Sequence, residues 1–251
     1  MKKVLTTCVL LLCLLMTSQV FGYSVTFGDK SIFWPGWSNG TADDSTDVIG
    51  IPDIQGGTAT ISSSGYLTGL TFNVGSIDTS RVMPGDFFID KDGNGTWDYV
   101  VNLLVGQTSG GITTFSAGDN KLYSINTPIP VGSLTNNPGY TLSYYSGGYN
   151  NYRENHPVAY DVSSNLTLIN DPNVSFSGWS SGGTPTFTFG ATDIHLGSQF
   201  IIGWDEQCAN DVLNETMNNP VPEPATMLLL GSGLIGLAGF GRKKFGKQKS
   251  A

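Results

Sequence analysis

The stretch Asp90-Lys91-Asp92-Gly93-Asn94-Gly95-Thr96-Trp97-Asp98 concentrates the groups best suited to hold a hard cation. Oxygen recurs at alternate positions. Asp90, Asp92 and Asn94 offer side chains, Thr96 its carbonyl and Asp98 a water-mediated contact, while Gly95 permits a sharp turn. An EF-hand would carry a bidentate Glu where this chain has Val101, and no helical pattern flanks the loop. An EF-hand is therefore excluded, and a solitary calcium loop between strands is the chemistry on offer. The same residues also read as a β-hairpin. Phe87-Phe88-Ile89 and Trp97-Asp98-Tyr99-Val100-Val101 would pair across a tight Asn94-Gly95 turn, and the two readings are compatible. Asp43, Asp44 and Asp47 could lend a further ligand, but read first as a solvated loop.

Enzymatic chemistry has weaker footing. Gly36-Trp37-Ser38-Asn39-Gly40 and Gly178-Trp179-Ser180-Ser181-Gly182 both fit G-x-S-x-G. A nucleophile elbow needs a strand-to-helix turn, a His base and an acid, and neither stretch opens a helix. In a chain with 33 Gly such matches arise by chance. His156 and His195, the only histidines, have no motif around them, and neither H-E-x-x-H nor a Cys pair supplies a zinc site. Acidic residues are numerous enough for a two-carboxylate glycosidase, whose separations a sequence does not give. The chain is expected not to be an enzyme, and a glycoside-active one stands third among the readings.

A Tyr-, Ser-, Gly- and Asn-rich stretch runs from Gly139 to Arg153. This mix suits a contact surface, because Tyr contributes wide area at small entropic cost. Tyr144, Tyr145, Tyr149 and Tyr152 are the candidates for ligand contact, with sugar faces as the ring partners. A strand over Tyr140 to Tyr145 followed by a flexible loop explains the stretch as well.

The elements that would position these groups are strands. Tyr23–Phe27, Tyr66–Phe72, Lys121–Ile125 and Thr184–Phe189 alternate apolar and polar residues in whole or part. Tyr99–Val105 and Phe200–Trp204 are more continuously apolar, as strands covered on both faces would be. Gly, Asn, Ser and Pro punctuate these runs at short intervals, and no 3.6-residue stripe appears outside the two ends. The expected fold is all-β: a two-sheet antiparallel sandwich, jelly-roll or Ig-like, over residues 23–213. A signal-peptide helix precedes it and a transmembrane helix follows. No internal repeat is evident.

Charge narrows the partners. The chain has 12 Lys+Arg against 20 Asp+Glu. Seven of the basic residues lie in the two ends (Lys2, Lys3, Arg242, Lys243, Lys244, Lys247, Lys249), so five remain in the body against nineteen acidic ones once Glu223 is set aside. A body near −14 by that count disfavours nucleic acid, whose phosphates need clustered Lys and Arg. It favours solubility and cation binding. Cys208 is the sole cysteine of the body, which rules out an internal disulfide there. It reads first as a buried thiol, with intermolecular pairing as the alternative.

The ends say where the body goes. Lys2 and Lys3 precede an apolar run from Val4 to Met16 that is too short to span a bilayer comfortably, and Val20-Phe21-Gly22 offers a peptidase exit. Residues 1–22 are expected to be a secretory signal peptide, removed by signal peptidase after Gly22. At the other end, residues 214–224 read as a linker carrying Pro222-Glu223-Pro224. Ala225–Gly241 is almost wholly apolar, about 25 Å long as a helix. Residues 242–251 form a basic tail, opened by Arg242-Lys243-Lys244, that stays cytoplasmic by the positive-inside rule.

Pro222-Glu223-Pro224, the short Leu/Gly-rich span and Arg242-Lys243-Lys244 together resemble the PEP-CTERM sorting signal of exported proteins in Gram-negative bacteria that make exopolysaccharide. The resemblance covers roughly the last thirty residues. It implies recognition by an exosortase, a transpeptidase-like integral-membrane enzyme, and cutting near the tripeptide. The span would then be a transient handle in the inner membrane rather than a permanent anchor. Gly203–Asp211, with its Trp, Cys and Asn-Asp, resembles a segment often found before such a tail. The expected function is a non-catalytic cell-surface or matrix protein, structural or adhesive in an exopolysaccharide layer. The alternative is a calcium-dependent saccharide-binding module.

Overall fold

A computed structural model describes residues 22–29, 52–75, 77, 79, 82–109, 112–131, 142–144, 157–160, 166–169, 174–191, 193–207, 211–220 and 231–234. Two antiparallel sheets dominate. The first is built in the order β1 (Tyr23–Phe27), β2 (Ile54–Ile61), β3 (Leu67–Val74), β11 (Thr186–Thr188), β10 (Ser175–Ser177). The second runs β13 (Val212–Asn218), β12 (Gln199–Glu206), β4 (Pro84–Asp90), β5 (Thr96–Ser109), β6 (Ile112–Pro130), β9 (Leu166–Leu168). A small pair, β7 (Leu142–Tyr144) and β8 (Pro157–Tyr160), completes the described strands. The expected all-β sandwich is present, and its alternating stretches fall on β1, β3, β6 and β11.

Period-2 patterning explains which face each strand buries. Leu70 and Phe72 of β3, Phe187 of β11, Phe87 and Ile89 of β4, and Phe200, Ile202 and Trp204 of β12 converge between the sheets. At the centre Phe72 meets the Trp204 ring at 4.6 Å and Phe87 meets Phe187 at 4.8 Å, so aromatics from both sheets interlock. Such pairs add to the area they bury by about 0.5–1.5 kcal/mol each. The Trp204 indole N–H donates to the Gly85 carbonyl at 3.0 Å, which satisfies its polar atom inside the core.

The second sheet is buried on its other face as well. Phe88, Val100, Ile125 and Tyr160 form a separate apolar cluster there, with Val212 beside them. Val100 and Val101 of β5 thus point to opposite cores, which is why Tyr99–Val105 lacks alternation. The Asp86 carboxylate, fully buried, stitches this region together. It accepts from the backbone N–H of Leu103 (2.7 Å), Leu104 (2.8 Å) and Tyr160 (2.6 Å) and from the Asn102 amide (3.5 Å). The donors sit where the β5–β6 register shifts, between Asn102 and Leu104, so Asp86 takes up N–H groups at an irregularity of the ladder. Burial pushes its carboxyl up to about 7 despite these donors.

Two expectations about the ends need correction or fall outside the description. The sandwich does not stop at residue 213. Strand β13 carries it to Asn218, because Leu213 and Met217 still point into the core, and the compact unit closes at Asn219. Of the expected helix 225–241, residues 231–234 form one helical turn, and the remainder lies outside the described residues. Among the described residues no helix is long and apolar enough to cross a membrane. The signal-peptide helix lies outside them apart from Gly22.

Candidate functional site

Strands β4 and β5 pair with Phe87 opposite Val101, Phe88 opposite Val100 and Ile89 opposite Tyr99. This is the expected hairpin, but its connection is not a tight Asn94-Gly95 turn. The paired ladder ends at Ile89 and Tyr99, and the loop between turns on Gly93 (φ 67°) and Gly95 (φ 85°). Both are left-handed conformations that only glycine adopts without strain.

Asp90 organises that loop from inside. Its carboxylate is fully buried and accepts N–H groups from Asp92 (3.2 Å), Gly93 (2.8 Å) and Asn94 (3.3 Å) on one oxygen and Gly95 (2.8 Å) on the other. Burial raises its pKa, and the four donors pull against that rise. Asp98 closes the other side: its Oδ2 accepts the Lys91 backbone N–H at 2.8 Å. Asn94 and Thr96 turn toward each other, with the Thr96 N–H donating to Asn94 Oδ1 at 2.9 Å and the Thr96 hydroxyl also bonded to it.

Asp90, Asp92 and Asp98 each bring a carboxylate oxygen within 4.8 Å of the others, a spacing that a single cation could bridge. Lys91 is the counter-charge present in the loop. Its ammonium lies 2.9 Å from Asp98 and 3.1 Å from Asp92. Desolvation lowers the Lys91 pKa, but its bonds and charges with Asp98 and Asp92 outweigh that and hold the ammonium above its ordinary value. The structure therefore gathers three of the five residues expected from sequence, pairs the other two with each other, and adds Lys91. The alternation Asp-Lys-Asp was the sequence signal for that internal pairing.

The loop leans on the turn ahead of β12. The Gly197 N–H donates to the Lys91 carbonyl at 2.7 Å, and a Cβ at Gly197 would meet Asp92 Cα at 3.0 Å. That turn also receives the end of β13. The Asn219 N–H donates to the Ser198 carbonyl at 2.8 Å and its amide to the Gly197 carbonyl at 2.6 Å. The Tyr23 hydroxyl, at the start of β1, donates to Asn219 Oδ1. The acidic loop, the first strand and Asn219, the last residue of the compact unit, thus meet at one end of the sandwich. No sequence pattern marks this convergence.

The remaining candidates resolve into structure. Gly178–Gly182 is the turn joining β10 to β11. The Ser180 N–H bonds the Gly178 carbonyl at 2.8 Å, the Gly183 N–H bonds the Ser180 carbonyl at 2.8 Å, and the Trp179 indole N–H bonds the Val82 carbonyl at 3.0 Å. His195 packs edge-on to Tyr66, ring centres 4.9 Å apart, in a bridge between their backbones. Within Gly203–Asp211, Trp204, Asp205, Glu206 and Asp211 are buried, and Asp211 accepts the Ile54 N–H, tying the second sheet to the first. Gly36–Gly40, Asp43, Asp44, Asp47, Tyr145, Tyr149, Tyr152, His156 and Cys208 lie outside the described residues, and of Tyr144 only the backbone, in β7, is described.

Comparison with known proteins gives one positive result, and it falls on the tail. The family model for the PEP-CTERM protein-sorting motif matches residues 220–243, beginning one residue after Asn219. The match takes in Pro222-Glu223-Pro224, the apolar run and the first two residues of Arg242-Lys243-Lys244. No curated protein and no solved structure matches the chain. The chain therefore carries the PEP-CTERM protein-sorting motif, which marks an exported protein processed by an exosortase.

Proposed function

We propose that this chain is a non-catalytic protein of the cell surface or extracellular matrix, structural or adhesive in an exopolysaccharide layer. The observation that carries the reading is the sorting motif directly after the sandwich's last pinned residue. In this reading signal peptidase frees the chain near Gly22, and Ala225–Gly241 holds it briefly in the inner membrane with the basic tail inside. Exosortase then acts near Pro222-Glu223-Pro224. The non-catalytic part of the reading draws support from Gly178–Gly182, a turn between strands β10 and β11 rather than the strand-to-helix turn that a nucleophile elbow needs. Deleting the exosortase, or replacing Pro222 and Pro224 with Ala, leaves the chain in the inner-membrane fraction. Equal extracellular release from wild type and variant sinks the sorting reading.

A second reading, a calcium-dependent saccharide-binding module, draws on the three carboxylates that lie within 4.8 Å of one another. Lys91 would swing outward when a cation enters. The Tyr-rich stretch would supply the sugar-stacking rings. A glycan pull-down with and without chelator separates the two: calcium-dependent retention favours the module, and indifference to chelator favours the structural role.

A further inference from the structure

We propose that Tyr23 and Asn219 form a latch that restrains exosortase processing, so that conversion at the sorting motif requires this end of the sandwich to open. The proposal rests on the sorting reading above. Asn219 is buried, only 7% exposed, although it is polar and sits at the chain's exit from the fold. Every hydrogen-bonding group described for it is held: the N–H by Ser198, the amide by Gly197 and Oδ1 by the Tyr23 hydroxyl. One residue earlier, Gln199 Nε2 donates to Asn218 Oδ1 at 2.9 Å. Pro220, by contrast, is exposed.

From Asn219 to Pro222 the chain spans at most roughly 10 Å when fully extended. An enzyme that encloses a peptide bond needs several residues of bare chain on its amino-terminal side. Here those residues include Asn219 and Asn218, which the fold already uses. Cleavage of a protected segment follows the population of its opened form when opening and closing are fast. The Tyr23 hydroxyl belongs to the strand at the opposite end of the sequence, so the first strand must be docked on β2 for the latch to close. A chain whose β1 is not yet in place therefore presents a looser tail than a fully folded one.

The test uses the full-length chain in exosortase-containing cells, with pulse-labelling to follow conversion of precursor to processed protein. Tyr23→Phe keeps the ring and removes the hydroxyl. One lost hydrogen bond of ~1 kcal/mol corresponds to about fivefold, so Tyr23→Phe should convert about fivefold faster, and Asn219→Ala, which also loses the bond to the Gly197 carbonyl, about thirtyfold faster. A flexible Gly-Ser-Gly-Ser insert between Pro220 and Val221 should speed the otherwise unchanged chain by a similar factor and erase the advantage of Tyr23→Phe. Conversion that depends on Pro222 and Pro224 but ignores the hydroxyl and the insert overturns the latch and leaves the sorting reading standing. Conversion that ignores the two prolines overturns the sorting reading itself. Melting curves of the purified bodies guard against a folding artefact: a faster Tyr23→Phe chain that has also lost its cooperative transition counts against the latch.

Discussion

Replacing Asp90 with Ala removes the acceptor around which the β4–β5 loop is wound. Hydrogen bonds to a charged acceptor contribute about 1.5–3 kcal/mol each when donor and acceptor are well placed. Two of the four bonds are 2.8 Å long and two are longer, at 3.2 and 3.3 Å. Counting only the short pair, and allowing water to reach some of the freed N–H groups, gives a cost of roughly 3 kcal/mol. For a domain of this size each kcal/mol moves Tm by about 2–4 °C, so the variant should melt about 6–12 °C lower. Asp92→Ala is the control. Its carboxylate pairs with Lys91 at the surface, the two side chains 39% and 33% exposed, and such pairs are worth at most about 1 kcal/mol. Differential scanning calorimetry of residues 23–221 in chelator reads both. If Asp90→Ala melts within about 2 °C of wild type, or Asp92→Ala falls as far as Asp90→Ala, the carboxylate is not what holds the loop.

In the second reading, millimolar calcium raises the Tm of the same body by several degrees and Asp92→Ala abolishes the rise; a hundredfold excess over Kd would stabilise by ~2.7 kcal/mol. Magnesium does less, since it gives up water reluctantly, and equal curves in calcium and chelator leave the loop as a hairpin connection only. Asp86 sets a pH dependence. Its folded carboxyl titrates near about 7, above the usual carboxylate range, so the folded state binds the proton more tightly. The contribution is fully present below the unfolded value and is lost as pH rises through about 7. The body should therefore melt higher at pH 5 than at pH 8, and Asp86→Asn should flatten most of that difference; an unchanged pH slope in the variant refutes the assignment.

Much of this protein was legible in the sequence because its signals are local. Side-chain alternation over Tyr23–Phe27 and Thr184–Phe189 follows from the two-residue period of a strand, and the tail's order of Pro-Glu-Pro, apolar run and basic cluster is a linear code. The aspartates of the loop were found for the same reason, since Asp90 to Asp98 is one continuous stretch. What sequence could not supply was partnership between distant segments. That β12 lies beside β4, and β11 beside β3, depends on which apolar faces meet across the core, and neither neighbour is adjacent in the chain. What covers the second face of β5, and that Pro157–Tyr160 pairs with the strand expected within Tyr140–Tyr145, could not be read either, because a continuous apolar run says that a strand is covered but not by what. Asp86 stands in no sequence motif, and its role follows only from the irregular ladder around Asn102–Leu104, which directs N–H groups at it. The junction of Tyr23 with Asn219 is the furthest case: two ordinary polar residues at opposite ends of the body become partners only because β1 and the end of β13 are brought to the same end of the sandwich.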